Sequence, residues 1–108
     1  MANAMIYMAR GLVRKGEIVT IKAMISHPME TGYRRDERGA AIARNIIRRF
    51  SCTYEGEEVI AVDLHPAISA NPFFAFTLVA ARSGPVSFVW SGDNGFEHRE
   101  TAMLSVQD

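Results

Sequence analysis

Val86-Ser87-Phe88-Val89-Trp90-Ser91-Gly92-Asp93-Asn94-Gly95 decides the fold class. Val86, Phe88 and Trp90 alternate with Ser87 and Ser91, the period of two that marks a strand with one buried face. Asn94-Gly95 then supplies residues that adopt positive φ cheaply, so a hairpin is expected at 92–95, with a last strand from Phe96 to Val106. Working back toward the N-terminus, Phe74, Phe76 and Leu78 share a face of a strand over 73–80. Arg82-Ser83-Gly84-Pro85 turns the chain. Val59 to Leu64 is a strand that returns from a turn at Glu55-Gly56-Glu57. Ile46, Phe50, Cys52 and Tyr54 fall on one face of a strand over 45–54. The Ala-rich stretch before it also fits a helical turn. Ile18 to Ser26 alternates, with Val19, Ile21, Ala23 and Ile25 inward. Met5 to Val13 is expected as one irregular edge strand, followed by a turn at 14–17.

About seven antiparallel strands with frequent turn signals indicate an all-β, immunoglobulin-like β-sandwich occupying 1–108 as one domain. The antibody-type pair of cysteines is missing, because Cys52 is the only cysteine, and packing alone must join the sheets. Lys plus Arg and Asp plus Glu each total 12, for a formal net charge of zero. That balance argues against nucleic acid or an anionic membrane as the partner, and it favours protein association. No apolar run approaches the ~20 residues of a membrane span. The N-terminal stretch lacks a basic segment followed by an apolar one, so no signal peptide is expected.

Little in the chain points to catalysis. His27, His65 and His98 do not stand at metal-ligand spacing, and neither Cys-x-x-Cys nor His-x-x-x-His occurs. His27 and His65 each precede a proline and read as loop starts. His98 sits in Glu97-His98-Arg99-Glu100, which reads as a solvated part of the last strand. Cys52 shares an apolar face with Phe50 and Tyr54, as a buried, inert thiol does. A reactive thiol needs exposure and a positive setting. No catalytic residue, cofactor or metal site is expected.

Two loops carry the remaining signal. His27-Pro28-Met29-Glu30-Thr31-Gly32 follows a strand, and Pro28 removes a backbone donor while pushing His27 to extended geometry. The adjoining Tyr33-Arg34-Arg35-Asp36-Glu37-Arg38 is either a solvated loop or an electrostatic docking edge. A second loop, from His65 to Pro72, holds Pro66 and Pro72.

With Arg35-Asp36 and Gly39, the first loop resembles the SoxZ family, a subunit of the SoxY–SoxZ sulfur carrier of bacterial thiosulfate oxidation. The hairpin from Ile46 to Val59 around Tyr54-Glu55-Gly56 shares the likeness. So do Ser69-Ala70-Asn71-Pro72-Phe73 running into Phe74-Ala75-Phe76, and Val89-Trp90 running into Asp93-Asn94-Gly95. The four stretches occur in family order over roughly 10 to 106. Ala43 stands where the family often has a proline. The resemblance implies a non-catalytic subunit that pairs with SoxY, whose C-terminal cysteine arm carries covalently bound sulfur intermediates while other Sox enzymes act on them. It also implies a periplasmic address reached by co-export with SoxY. This chain's own C-terminal residues hold neither a cysteine nor a Gly run.

The expected interface residues are His27, Pro28, Met29, Glu30, Thr31, Gly32, Arg34, Arg35, Asn71, Pro72 and Phe73. An obligate partner implies an apolar sheet face, through which the isolated chain would form a homodimer. Two other readings are a β-sandwich scaffold module unrelated to sulfur and a thiol enzyme using Cys52.

Overall fold

Alternation along each strand sends one row of side chains inward, and in the computed structural model those rows meet between two sheets. Residues 3–8, 11–65 and 70–107 are described. The strands are β1 (Ala4–Met8), β2 (Leu12–Arg14), β3 (Ile18–Ile25), β4 (Ile47–Tyr54), β5 (Glu57–Asp63), β6 (Phe73–Val79), β7 (Gly84–Gly92) and β8 (Glu97–Gln107). A three-stranded sheet has the order β1-β3-β6, and a five-stranded sheet the order β2-β8-β7-β4-β5. Inward from the small sheet point Ile6, Val19, Ile21, Ala23, Ile25, Phe74, Phe76 and Leu78. Phe50, Cys52, Val86, Phe88, Trp90 and Leu104 meet them from the large one. Phe50 joins the layers: its ring stacks on Phe74 at 4.4 Å and tilts against Trp90 at 5.1 Å. Each fully buried aromatic of this kind contributes about 1.5–3 kcal/mol from burial alone.

Three expectations change. The stretch 5–13 is two strands in different sheets: β1 pairs antiparallel with β3, whereas β2 pairs parallel with β8. Among the described residues the sandwich therefore has eight strands, one pair of them parallel. Gly11, at φ +80°, marks the change of sheet. No helical turn precedes β4. Residues 30–45 fold back as a narrow ribbon, with bridges Glu30–Asn45 and Arg35–Ala41. Ile46 and Ile47 are both buried, because a bulge between Ile47 and Arg49 shifts the alternation.

The expected turns hold. Glu55 and Gly56 have φ +59° and +75°, and Asn94 and Gly95 have +61° and +72° within a short 3-10 turn. Gly92 is required by a close approach, because a Cβ there would lie 2.3 Å from the Ile46 carbonyl oxygen.

Tyr54 ends β4 by locking the β6–β7 connection. Its hydroxyl accepts from the Ala81 and Arg82 N–H groups at 3.0 and 2.9 Å and donates to the Arg82 carbonyl. Tyr54→Phe leaves both part-buried donors without that acceptor. It should cost about 2–3 kcal/mol in urea unfolding, and a loss below about 0.5 kcal/mol would contradict this role.

Candidate partner interface

Pro28 cannot extend β3, so the chain leaves the small sheet at His27 and is caught by the other loop. The His27 N–H donates to Asn71 Oδ1 at 2.9 Å, and the Asn71 N–H donates to the His27 carbonyl at 2.8 Å. Asn71, at φ +53°, takes the left-handed conformation that asparagine tolerates better than most residues. His27 starts a loop, as expected, yet it is buried. Its Nδ1 accepts the Met29 N–H at 3.0 Å, and its ring meets Phe96 edge-on at 5.1 Å. An accepting Nδ1 assigns the ring proton to Nε2. Burial holds the His27 pKa below its ordinary value. Met29 is buried too, and its Sδ accepts the Ile47 N–H at 3.2 Å, so the loop is anchored to the large sheet as well.

Beyond this clasp the ribbon starts. Glu30 and Asn45 exchange backbone hydrogen bonds, both 2.8 Å. Gly32, at φ +90°, lets the two limbs close, since a Cβ there would meet the Arg44 Cβ at 3.0 Å. Hydrogen bonding from Arg34 holds the Glu30 carboxyl below the usual range. Arg44 grips Asp93 through two hydrogen bonds of 2.8 and 2.9 Å, which lowers the Asp93 pKa and ties the ribbon base to the β7–β8 turn. At the tip, Asp36 Oδ1 accepts from the Arg38 and Ala40 N–H groups.

The expected interface residues thus separate by role. His27, Met29 and Pro72 are buried within the chain and shape the loops rather than offer contact surface. Pro28, Arg34, Arg35 and Asn71 are exposed, while Glu30, Thr31 and Gly32 are half-buried. Phe73 is 58% exposed and lies on the outer face of the small sheet. Ser69 and Pro66 lie outside the described residues.

An apolar sheet face and Phe73 were expected from the sequence, but not which sheet carries the face or which residues surround Phe73 on it. Register places Met5, Met24 and Phe73 side by side across β1, β3 and β6, with Tyr7, Lys22 and Ala75 in the next row. Ile18 and Val79 pair at the far end. Met5, Tyr7, Ile18 and Val79 are all exposed. Met5, Ile6, Tyr7, Lys22, Met24 and Phe73 line a depression of about 380 Å³. The large sheet's outer face differs in character. Arg49 bridges to Glu58 and Asp63, Arg99 bridges to Glu97, and Ser51, Thr53, Ser87 and Thr101 lie between them. A signal for the apolar face did exist, because Met5, Tyr7, Met24 and Phe73 are large apolar residues at outward positions of their strands.

Cys52 is buried in the core, and burial pushes its thiol pKa up to about 11, which keeps it protonated and unreactive near neutral pH. Among the described residues no three His, Cys, Asp or Glu side chains converge to hold a metal ion. His98 points to the inner side of β8, beside Trp90 and hydrogen-bonded to Glu100 at 2.9 Å, rather than into solvent.

The clasp carries a pH signature. A histidine whose pKa is lower folded than unfolded contributes stability above its unfolded pKa, and that contribution is lost as pH falls through the folded value. Stability should therefore drop on acidification from about pH 7 through the range below the ordinary histidine value near 6.5. In His27→Asn, an amide oxygen replaces the accepting Nδ1 without titrating. Unfolding curves across this range should show a flatter pH dependence for His27→Asn than for wild type; equal slopes would contradict the assignment.

The fold recurs in solved structures of low identity. A superoxide reductase (neelaredoxin) from Ignicoccus hospitalis is 16% identical with a TM-score of 0.72, over 96% of this chain and 80% of that one. The sulfur carrier protein SoxY from Chlorobium limicola f thiosulfatophilum is 14% identical with a TM-score of 0.68, over 97% and 79%. A superoxide reductase homologue from Thermotoga maritima is 16% identical with a TM-score of 0.67, over 97% and 86%. At these identities the likeness establishes the immunoglobulin-like fold alone. A search of curated proteins returned no significant match. A family model described as "Sulphur oxidation protein SoxZ" matches residues 8–103. With the sandwich, the clasp between the His27 and Asn71 loops and the family match in agreement, the chain belongs to the SoxZ family, a component of the Sox sulfur-oxidation system.

Proposed function

We propose that this chain is the non-catalytic subunit of a SoxY–SoxZ carrier and that it seats a SoxY-like β-sandwich on the outer face of its three-stranded sheet. The observation that carries this reading is the contrast between the two outer faces. One presents Met5, Tyr7, Ile18, Phe73 and Val79 to solvent with Lys22 the one charge among them, and the other, although it exposes Leu12 and Met103, is laced with ion pairs and hydroxyls. Contiguous exposed apolar surface favours burial against a partner, and two sandwiches of the same fold pack sheet on sheet. Lys22 lies over the Tyr7 ring at 5.7 Å, which leaves its charge at the surface as a polar anchor inside the apolar field.

In this role the chain supplies a rigid platform and no chemistry, since its own thiol is buried and protonated. The reactive cysteine belongs to the partner's C-terminal arm, on which sulfur intermediates are carried and presented to the enzymes that process them. The complex works in the periplasm, reached by co-export of the two subunits. Without its partner the chain covers the same face by pairing with a second copy.

Co-expression with the SoxY-like protein of the same source should yield a one-to-one complex on size exclusion, with sulfur adducts on the partner's terminal cysteine. Met24→Asp and Phe73→Asp should weaken that complex by about 30-fold or more, as a central interface position does, while Thr101→Asp on the opposite face leaves it unchanged. Unfolding midpoints check that each variant is folded. Equal weakening by all three, or by none, would overturn the assignment of this face.

A further inference from the structure

Lys22 stands in the middle of the apolar seat. It lies on β3, the central strand of the three-stranded sheet, with Tyr7 beside it on β1 and Ala75 beside it on β6. Every other outward position of these strands holds an apolar side chain or a threonine. Among the described residues Lys22 is therefore the one charge on the face, and no carboxylate there pairs with it. Its ammonium lies 5.7 Å from the centroid of the Tyr7 ring. The ring attracts the charge, but it is a poor substitute for the oxygen acceptors that three N–H donors require. Lys22 also lines the depression of about 380 Å³ with Met5, Tyr7, Met24 and Phe73, so whatever fills the depression covers the ammonium too.

In the free chain Lys22 is exposed, and water solvates it. A subunit seated on the face removes that water. Burying a charge without a counter-charge is strongly unfavourable, so the covering surface decides the outcome. A second copy of this chain, meeting the face across a twofold axis, brings the same surface. It adds another Lys22 and offers no carboxylate. A different subunit is free to place an acidic side chain there.

We infer that Lys22 determines the partner specificity of this face. The SoxY-like subunit presents an Asp or Glu that meets the Lys22 ammonium inside an otherwise apolar contact, and the same lysine opposes pairing of the chain with itself. The inference rests on the carrier reading and deepens it, by naming the chemistry that the covering face must carry. Discrimination between partners needs an attraction toward one and a penalty on the other, and here one side chain supplies both. The self-paired form is the weaker assembly and gives way when the acidic partner is present.

The test compares two dissociation constants, that of the heterodimer with the SoxY-like subunit of the same source and that of the isolated chain with itself, both by analytical ultracentrifugation. Lys22→Met removes the charge and keeps an unbranched apolar side chain. It should weaken the heterodimer by about 30-fold or more, as loss of one partner of a covered charge pair does. It should tighten self-association by about tenfold or more, because like charges no longer meet. Movement in opposite directions is the signature, since a lysine that contributed only its methylene stem would not drive the two assemblies apart. Lys22→Arg keeps the charge and should leave both close to wild type. Unfolding midpoints check that each variant is folded. An unchanged heterodimer, no gain in self-association, or a shift of both assemblies in the same direction in Lys22→Met overturns the inference. If the wild-type chain forms no heterodimer, the carrier reading fails; if the heterodimer forms and Lys22→Met binds as tightly as wild type, the assignment of Lys22 alone fails.

Discussion

Phe50 holds the architecture together. With no disulfide available to staple the sheets, their union depends on side chains that cross between them, and Phe50 stacks on Phe74 of the opposite sheet at 4.4 Å while touching Trp90 of its own. Offset aromatic pairs add about 0.5–1.5 kcal/mol beyond the area they bury. Once Phe50 and Phe74 face each other, strand alternation sorts every other residue. The odd or even partners along each strand must point out, and the character of those outer rows is what a partner meets. On the five-stranded sheet ion pairs and hydroxyls surround a few apolar residues, Leu12, Val89 and Met103. On the three-stranded sheet methionine, tyrosine, phenylalanine and branched aliphatics predominate, with Lys22 the one charge. The surface that the proposed role uses is therefore a consequence of how the core is packed.

Much of this was legible from the residues. Val86, Phe88 and Trp90 announced β7, and Asn94-Gly95 announced its turn, because period-two alternation and positive-φ residues are local signals. Both motif loops were visible as well, but not their meaning. His27 and Asn71 are 44 residues apart, and nothing local says that each satisfies the other's backbone. The same holds for the apolar outer face. Alternation shows that Met5, Met24 and Phe73 point away from the core of their strands, but only register places them side by side. The division of 5–13 between two sheets escaped because a three-residue edge strand such as β2 has too few residues for a period. The ribbon escaped because long polar loops carry no hydrophobic pattern, and its pairing rests on backbone bonds.

The same fold serves chains described as superoxide reductases and a chain described as a sulfur carrier, so architecture alone says nothing of chemistry. What distinguishes this chain is where its polar and reactive groups have gone. Its thiol lies in the core, its buried histidine is engaged in holding a loop, and its arginines are spent on the ribbon and the large sheet. A chain that buries its thiol and carries an apolar platform on one face is organised for contacts, as the proposed role requires.

The central claim is that the three-stranded sheet is the face a SoxY-like subunit covers. Met5 on that face and Met103 on the opposite one are both 65% exposed, so each serves as a control for the other. Oxidative footprinting of the free chain and of the heterodimer, read by mass spectrometry of the methionine peptides, tests the claim directly. The account predicts strong protection of Met5 in the complex with Met103 oxidised as readily as before. Protection of Met103 with Met5 unchanged would contradict it.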